Sequence, residues 1–312
     1  MHCINRRVAS QSLKAVCTAR FASSNPSGRQ PNEAASDQSK QERGSQDASR
    51  EPERPPLPTQ SSPSGSQSWL GKLLQGQHRT IETGHESHSR KLAKKGVIYE
   101  MQTHNVRPDQ RAEYINTYGE FVEAALKNQK VESNLVGSWM VETGGDQDQA
   151  IHIWKYNNGY VAFDHTSKAL REDKKLQDFQ NKLGKSLRSR QNQAMLSFSF
   201  WGDPEPSEAK RIYELRTYTL KPGTLIEWGN HWARAIHLRK SREDGVGGFF
   251  TQIGPLYVVH HIWAYADLEA RKDARDAAWS SPGWDDCVAN TVPLIREMNS
   301  RIMIGNSFSP LK

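Results

Sequence analysis

Two side chains set two residues apart, Glu214 and Arg216, make the chain's clearest offer of chemistry. In the run "YELRTY" the alternation of a strand puts both on one face. There a carboxylate and a guanidinium could line a barrel interior and orient a polar substrate. The plainer alternative is an ion pair that fixes strand pairing. Farther on, His260 and His261 are neighbours in a β-rich run and so face opposite ways, which admits at most one of them to a pocket. His152 stands in an earlier stretch at the place His261 takes in a later one. A histidine held at both places could be an acid, a base or a haem ligand, or a satisfied core residue. Glu214, Arg216 and His261 are the catalytic candidates; Tyr213, His152, His231 and Trp263 are the pocket-lining ones. His231 reads as a rim residue on a helix. No phosphate-binding glycine loop, serine nucleophile motif or acidic metal cluster is present, and Cys287 stands far from the other cysteines, Cys3 and Cys17. An enzyme built on these residues would be cofactor-free or haem-dependent, with no metal site formed by side chains alone.

The elements that must position these residues are written twice. Shifted by 114 residues, the interval from Ile98 to Ile212, the stretch "VIYEMQTHNVRPDQRAEYINTY" falls on "RIYELRTYTLKPGTLIEWGNHW". Glu100 then matches Glu214, Gln102 matches Arg216, and Tyr114 and Tyr118 match Trp228 and Trp232. The interval shrinks to 110 at Gly137 and Gly247, to 109 at Trp154 and Trp263, and to 108 at Met195 and Met303. Small loop deletions between matched elements produce such a drift. In the second copy "IYELRTYTL" alternates as a strand, Lys221-Pro222-Gly223 is turn chemistry, and Thr224 with Glu227 has capping-box spacing. Leu225, Trp228, Trp232 and Ile236 form one helix face, more suited to core packing than to an aromatic ligand box. "VGGFFTQI" and "LYVVHHIWAY" make a hairpin through Gly254-Pro255. "DLEARKDARDAAW" and "VPLIREMNSR" read as helical around Ser281-Pro282-Gly283, and "IMIGNSF" as a closing strand. The order β-α-β-β-α-β is ferredoxin-like. It leaves one sheet face bare, so the expected fold is α+β: two tandem units, residues 97–202 and 210–312, whose sheets face each other as a pseudo-dimeric α+β barrel. Closure within one chain and exchange between chains, giving a homo-oligomer, are both compatible with the duplication.

The opening residues read as an address. Residues 1–21 hold Arg6, Arg7, Lys14 and Arg20 and no acid, so more than half of the chain's net charge of +7 sits there. That composition predicts a mitochondrial transit peptide cut near Phe21 and Ala22. The remaining charge lacks the dense basic face of a nucleic-acid-binding domain. Between residues 22 and 68 Leu57 is the only large apolar side chain, too little to offset backbone ordering, which predicts a disordered linker. Residues 69–96 are transitional, with Trp69, Leu70, Leu73 and Leu74 able to form a docking helix. No apolar run approaches the roughly 20 residues of a membrane span.

"YELRTYTLKPGTLIEWGNHWARAI", "VGGFFTQIGPLYVVHHIWAY" and "SRIMI" in the second copy, with "DQDQAIHIW" and "LSFSFW" in the first, closely resemble the NIPSNAP family. The resemblance runs from about Trp69 to the C-terminus. It implies a tandem pair of dimeric α+β barrel modules and residence in mitochondria. It also implies a non-enzymatic role in quality control, in which the protein on damaged mitochondria binds autophagy receptors and ubiquitin-like autophagy modifiers. Such modifiers take an aromatic-x-x-aliphatic peptide as an added strand. Phe250 to Ile253, Tyr265 to Leu268 and Phe308 to Leu311 have that spacing. The third lies at a chain end, which makes Phe308 and Leu311 the partner-binding candidates.

Overall fold

Alternation of apolar side chains along each copy's strands leaves both strand faces needing cover, and the chain supplies it with helices outside and a second sheet inside. The computed structural model describes residues 91–93, 96–240 and 245–312. The proposed transit peptide, its cleavage at Phe21 and Ala22, the linker and most of the transitional segment lie outside them.

The first unit runs β1 (Ile98–Val106), α1 (Arg111–Lys127), β2 (Asn134–Thr143), β3 (Gln149–Tyr156), α2 (Gly159–Glu172), α3 (Lys174–Lys185) and β4 (Leu187–Ser197). The second runs β5 (Ile212–Leu220), α4 (Leu225–Lys240), β6 (Gly245–Ile253), β7 (Val258–Tyr265), α5 (Leu268–Trp279), α6 (Trp284–Thr291) and β8 (Ile295–Gly305). Register shows the duplication at single-residue resolution. Gln102 pairs with His152 and Asn192, and Arg216 pairs with His261 and Ser300.

The eight strands close into a barrel in the order β1-β3-β2-β8-β5-β7-β6-β4, antiparallel throughout. Each unit is therefore a 4-1-3-2 sheet, and the sheets meet edge to edge as well as face to face. β2 joins β8 and β4 joins β6, so neither unit keeps a free strand edge and the barrel closes within one chain. The lumen is filled, not hollow: Tyr99, Met101, Trp139, Tyr213, Leu215, Phe249 and Met303 pack together there with almost no exposure. The C-terminus plugs this core. Leu311 is 3% exposed among these residues, and the Tyr213 hydroxyl donates to the Lys312 carbonyl at 2.9 Å.

One predicted element changes type. Of "VPLIREMNSR", Val292–Leu294 form a single 3-10 turn, and Ile295 onward is already strand. The helix before it is α6, which starts directly after the Ser281-Pro282-Gly283 interruption and ends where the predicted helix begins. Pro293 removes the backbone donor that would continue the helix, and pairing with β5 along Ile295–Ile304 satisfies the backbone instead. The tail of the transitional segment also docks: Leu92 packs into the second unit's core, 3.2 Å from where a Cβ on Gly229 would stand.

Candidate functional site

Barrel closure decides which strand face is which. Tyr213 and Leu215 point into the lumen, so Glu214, Arg216 and Tyr218 point outward, beneath α4, α5 and α6. The pair thus lies under the helices and not in the barrel interior.

Glu214 is fully buried. Its Oε1 accepts hydrogen bonds from Arg271 Nη2 at 2.7 Å, Ser300 Oγ at 2.7 Å and Arg216 Nη1 at 3.4 Å, and its Oε2 from Tyr265 Oη at 3.5 Å. Burial alone would raise the Glu214 pKa, but the Arg271 hydrogen bond and the Arg216 charge outweigh it and hold it below the usual carboxylate value. Beside this pair a cavity of about 180 Å³ is walled by Trp232, Trp263, Trp279, Trp284, Arg216, Arg239 and Arg275. The Arg239 guanidinium lies 4.6 Å from the Trp263 ring centre and donates to Tyr265 Oη at 3.0 Å. Arg275 makes no hydrogen bond or ion pair among the described residues. Its pKa is lowered, first by burial and then by the charges of Arg216 and Arg271. Four arginines therefore surround one carboxylate, in a frame of indole rings.

Few groups in this wall suit proton transfer near neutral pH. Burial pushes the Tyr218 hydroxyl up, and the Cys287 thiol up to about 11. Haem does not fit this second-unit cavity. It is smaller than the ~300 Å³ at which sites for drug-sized ligands begin, no imidazole lines it, and burial disfavours the thiolate that Cys287 would need as an iron ligand. Among the described residues no group of three or more His, Cys, Asp or Glu could hold a metal ion, and no helix is long and apolar enough to cross a membrane.

The remaining predicted residues separate. Trp263 is in the cavity wall, and Tyr213 is in the lumen core. His231 is half-buried on α4, its carbonyl 3.9 Å from the Cys287 sulfur. His260 turns towards the lumen end, 3.1 Å from Thr217 Oγ1 and 3.0 Å from Gln193 Oε1. His261 is fully buried in an aromatic box, its ring centre 4.4 Å from Trp201, 4.6 Å from Trp232 and 5.1 Å from Trp228. Neither ring nitrogen has a hydrogen-bond partner among the described residues. Phe308 is half-buried against Tyr118 and Gly119, and Leu311 is buried, so this segment is committed to the fold and is not a free peptide. Sequence reasoning missed Arg239, Arg271 and Arg275. The last two sit four apart on α5, in a run whose mixed charges look like an ordinary solvated helix face.

The first unit holds the matching site with different chemistry. Glu100 accepts from Tyr156 Oη at 2.7 Å, Asn192 Nδ2 at 2.8 Å and Gln102 Nε2 at 3.2 Å, all neutral donors. His152 is joined to Ser138 Oγ and to Tyr114 Oη, each at 2.8 Å, and stacks on Tyr118 with ring centres 3.7 Å apart.

Duplicated ferredoxin-like units, joined edge to edge with a cavity between sheet and helices in each, define a tandem α+β barrel protein. The chain belongs to the NIPSNAP family, whose model matches residues 99–201 and 213–310. It is 49% identical over 257 residues to Protein NipSnap of Drosophila melanogaster, covering 81% of this chain and 92% of that one. It is 46% identical over 247 residues to human Protein NipSnap homolog 2, covering 78% and 85%. Among solved structures, a putative monooxygenase from Fusobacterium nucleatum superimposes with a TM-score of 0.52 at 13% identity, covering 68% of this chain and 93% of that one. At that identity the likeness speaks for the fold alone.

Proposed function

We propose that this protein is a non-enzymatic binding protein of mitochondria whose second unit receives a small carboxylate with a flat apolar body. The observation that carries this is the charge imbalance in the tryptophan-walled cavity. Arg216 and Arg271 are used by Glu214, while Arg275 has its charge disfavoured by burial and by those two arginines, feels Glu214 as a weaker opposing charge, and makes no ion pair of its own among the described residues. A ligand carboxylate supplies the missing charge and accepts the two parallel hydrogen bonds an arginine fork offers. The indole walls cover its body. The small volume selects a compact molecule, and the scarcity of groups titrating near neutral pH favours holding over reacting.

Replacing Arg275 with Ala tests this reading. The variant is expected to melt at the same temperature as the parent or slightly above it, because like-charge crowding is relieved. It is also expected to bind benzoate at least tenfold more weakly by calorimetric titration. Equal affinity in parent and variant, or no benzoate binding by the parent, would overturn the proposal.

The mitochondrial setting is supported by the basic, acid-free first 21 residues. An intact Met1 on protein recovered from mitochondria would contradict it. The receptor-binding role in mitophagy that the family resemblance implies needs an exposed aromatic-x-x-aliphatic strand. Phe250, Tyr265 and Leu311 are buried in the three segments with that spacing, so the geometry favours the cavity. Capture by a ubiquitin-like autophagy modifier, lost in Phe308→Ala, would restore the adaptor reading.

A further inference from the structure

The duplication places the same carboxylate at two sites beneath the helices, lining the cavity of the first unit and lying beside that of the second, and pairs it with arginine in only one. Glu214 has two arginines. Glu100, only 6% exposed, has three neutral donors and no ion pair among the described residues. Its cavity, of about 440 Å³, has aromatic walls in Tyr118, Phe121, Tyr156 and Phe163. We infer that this first-unit cavity is a binding site for an organic ammonium ion, a protonated primary amine carrying one apolar body. The inference goes beyond the carboxylate reading of the second unit and does not depend on it.

Three arguments converge on a cation. A buried carboxylate without a positive partner is costly, and an ammonium group offsets that cost most directly. Ring faces of tyrosine and phenylalanine attract cations, and they cover an apolar body equally well. The carboxylate also has spare capacity: Oε2 serves Tyr156 and Gln102, while among the described residues Oε1 accepts from Asn192 alone, leaving a lone pair for an N–H donor. The volume falls within the range of small-molecule sites. The other charged groups facing the cavity are Arg171 and Arg190, both exposed, so that solvent weakens their repulsion of a bound ammonium without abolishing it, since the Arg190 charge still reaches His104. His104 is neutral, its pKa pushed down to about 4 by burial first and by the Arg190 charge second.

The test uses the full mature chain and two probes of the same shape, phenethylammonium and phenethyl alcohol, titrated calorimetrically. The amine is expected to bind at least tenfold tighter than the alcohol. Gln102→Arg reproduces the pairing seen at Glu214 and Arg216, an arrangement this fold already accommodates, and is expected to abolish that preference. Glu100→Gln is expected to do the same, with the melting temperature of each variant reported beside its affinity. Equal affinities for the two probes, no binding of the amine, or an amine preference that survives in a folded Gln102→Arg protein would each overturn the assignment.

Discussion

His261→Leu is expected to stabilise the protein, and His152→Leu to destabilise it, although the two histidines occupy the same position of a duplicated strand. In the first unit the apolar replacement takes one hydrogen bond from each of two buried hydroxyls. Ser138 Oγ loses His152 but keeps Asn306, whose amide donates to it at 2.8 Å, and Tyr114 Oη keeps a 2.6 Å hydrogen bond to His104. The partners survive with fewer bonds, and the ring stacked on Tyr118 is gone. With each lost hydrogen bond worth about 0.5–1.5 kcal/mol and the aromatic stacking about as much again, a total loss of about 2–4 kcal/mol is expected. In the second unit the same substitution removes two ring nitrogens that have no partner, from a box of indoles. The reason they have none is steric. The counterpart of Ser138 is Gly248, and a Cβ there would lie 2.4 Å from the Trp201 ring. Trp201 therefore excludes the hydroxyl that His261 would need, and Trp228 replaces the Tyr114 hydroxyl with an indole. Removing an unsatisfied imidazole from this box should gain about 1–3 kcal/mol, or about 2–4 °C in melting temperature per kcal/mol for a body of this size. Thermal denaturation of both variants at pH 7.5 checks the pair. Shifts of the same sign would mean that His261 has a partner of equal worth to that of His152.

Acid should unfold this protein at an unusually high pH. Burial lowers the pKa of four histidines: His104 to about 4, His260 to about 3, and His152 and His261 well below the ordinary value of 6.5. Charges add to this, from Arg190 at His104, Arg301 at His260, His104 at His152, and Arg216 first at His261. A histidine whose pKa is lower folded than unfolded stays neutral in the native state while the unfolded chain takes up a proton. Its stabilisation is thus fully present above pH 6.5 and is lost as pH falls from there towards the folded value. At pH 5 each such group has cost about 2 kcal/mol, so the four together cost about 8 kcal/mol. That is comparable with the ~5–15 kcal/mol total stability of a typical domain, and the expected midpoint of acid unfolding lies near pH 5. Glu214, with its lowered pKa, adds a further loss only below the ordinary carboxylate range. Urea denaturation between pH 7.5 and 5 measures the slope directly. An unfolding free energy that stays flat over that interval would show that the histidines are protonated in the native state. His261→Leu should remove about a quarter of the slope.

These two expectations have one origin. The aromatic stripe of α4 holds tryptophan where α1 holds tyrosine, and with the hydroxyls absent the polar partners of one histidine are absent too. The carboxylate beneath the helices differs in the opposite sense: it is held by Arg216 and Arg271 in the second unit and by neutral donors in the first. One fold thus carries an aromatic, arginine-rich cavity in one half and a cavity with an unneutralised carboxylate in the other.

How far the sequence carries can be judged from particular residues. The repeat was legible because Ile98, Glu100, Thr103 and Pro108 recur in order with intervals that drift only at loops, and because strand alternation and helix spacing are local properties. The same locality placed His260 and His261 on opposite faces. It misread Arg296 to Arg301, whose exposed polar run has no intrinsic preference strong enough to reveal a strand that exists through pairing with β5. It also left Arg271 and Arg275 looking like solvated helix charges, and Phe308 to Leu311 looking like a free tail, when Leu311 plugs the barrel.

What the sequence determined alone was therefore the duplication, the order of elements in each unit and the pairs of residues that share a face. Which of those faces became the lumen was decided only by tertiary structure. A period of two says that Glu214 and Arg216 point together. Only the pairing of β2 with β8 and β4 with β6, which closes the barrel around Tyr213 and Leu215, says that they point outward, into the helix-covered cavity and towards Arg239, Arg271 and Arg275. Those contacts join residues remote in the chain, and no local pattern encodes them.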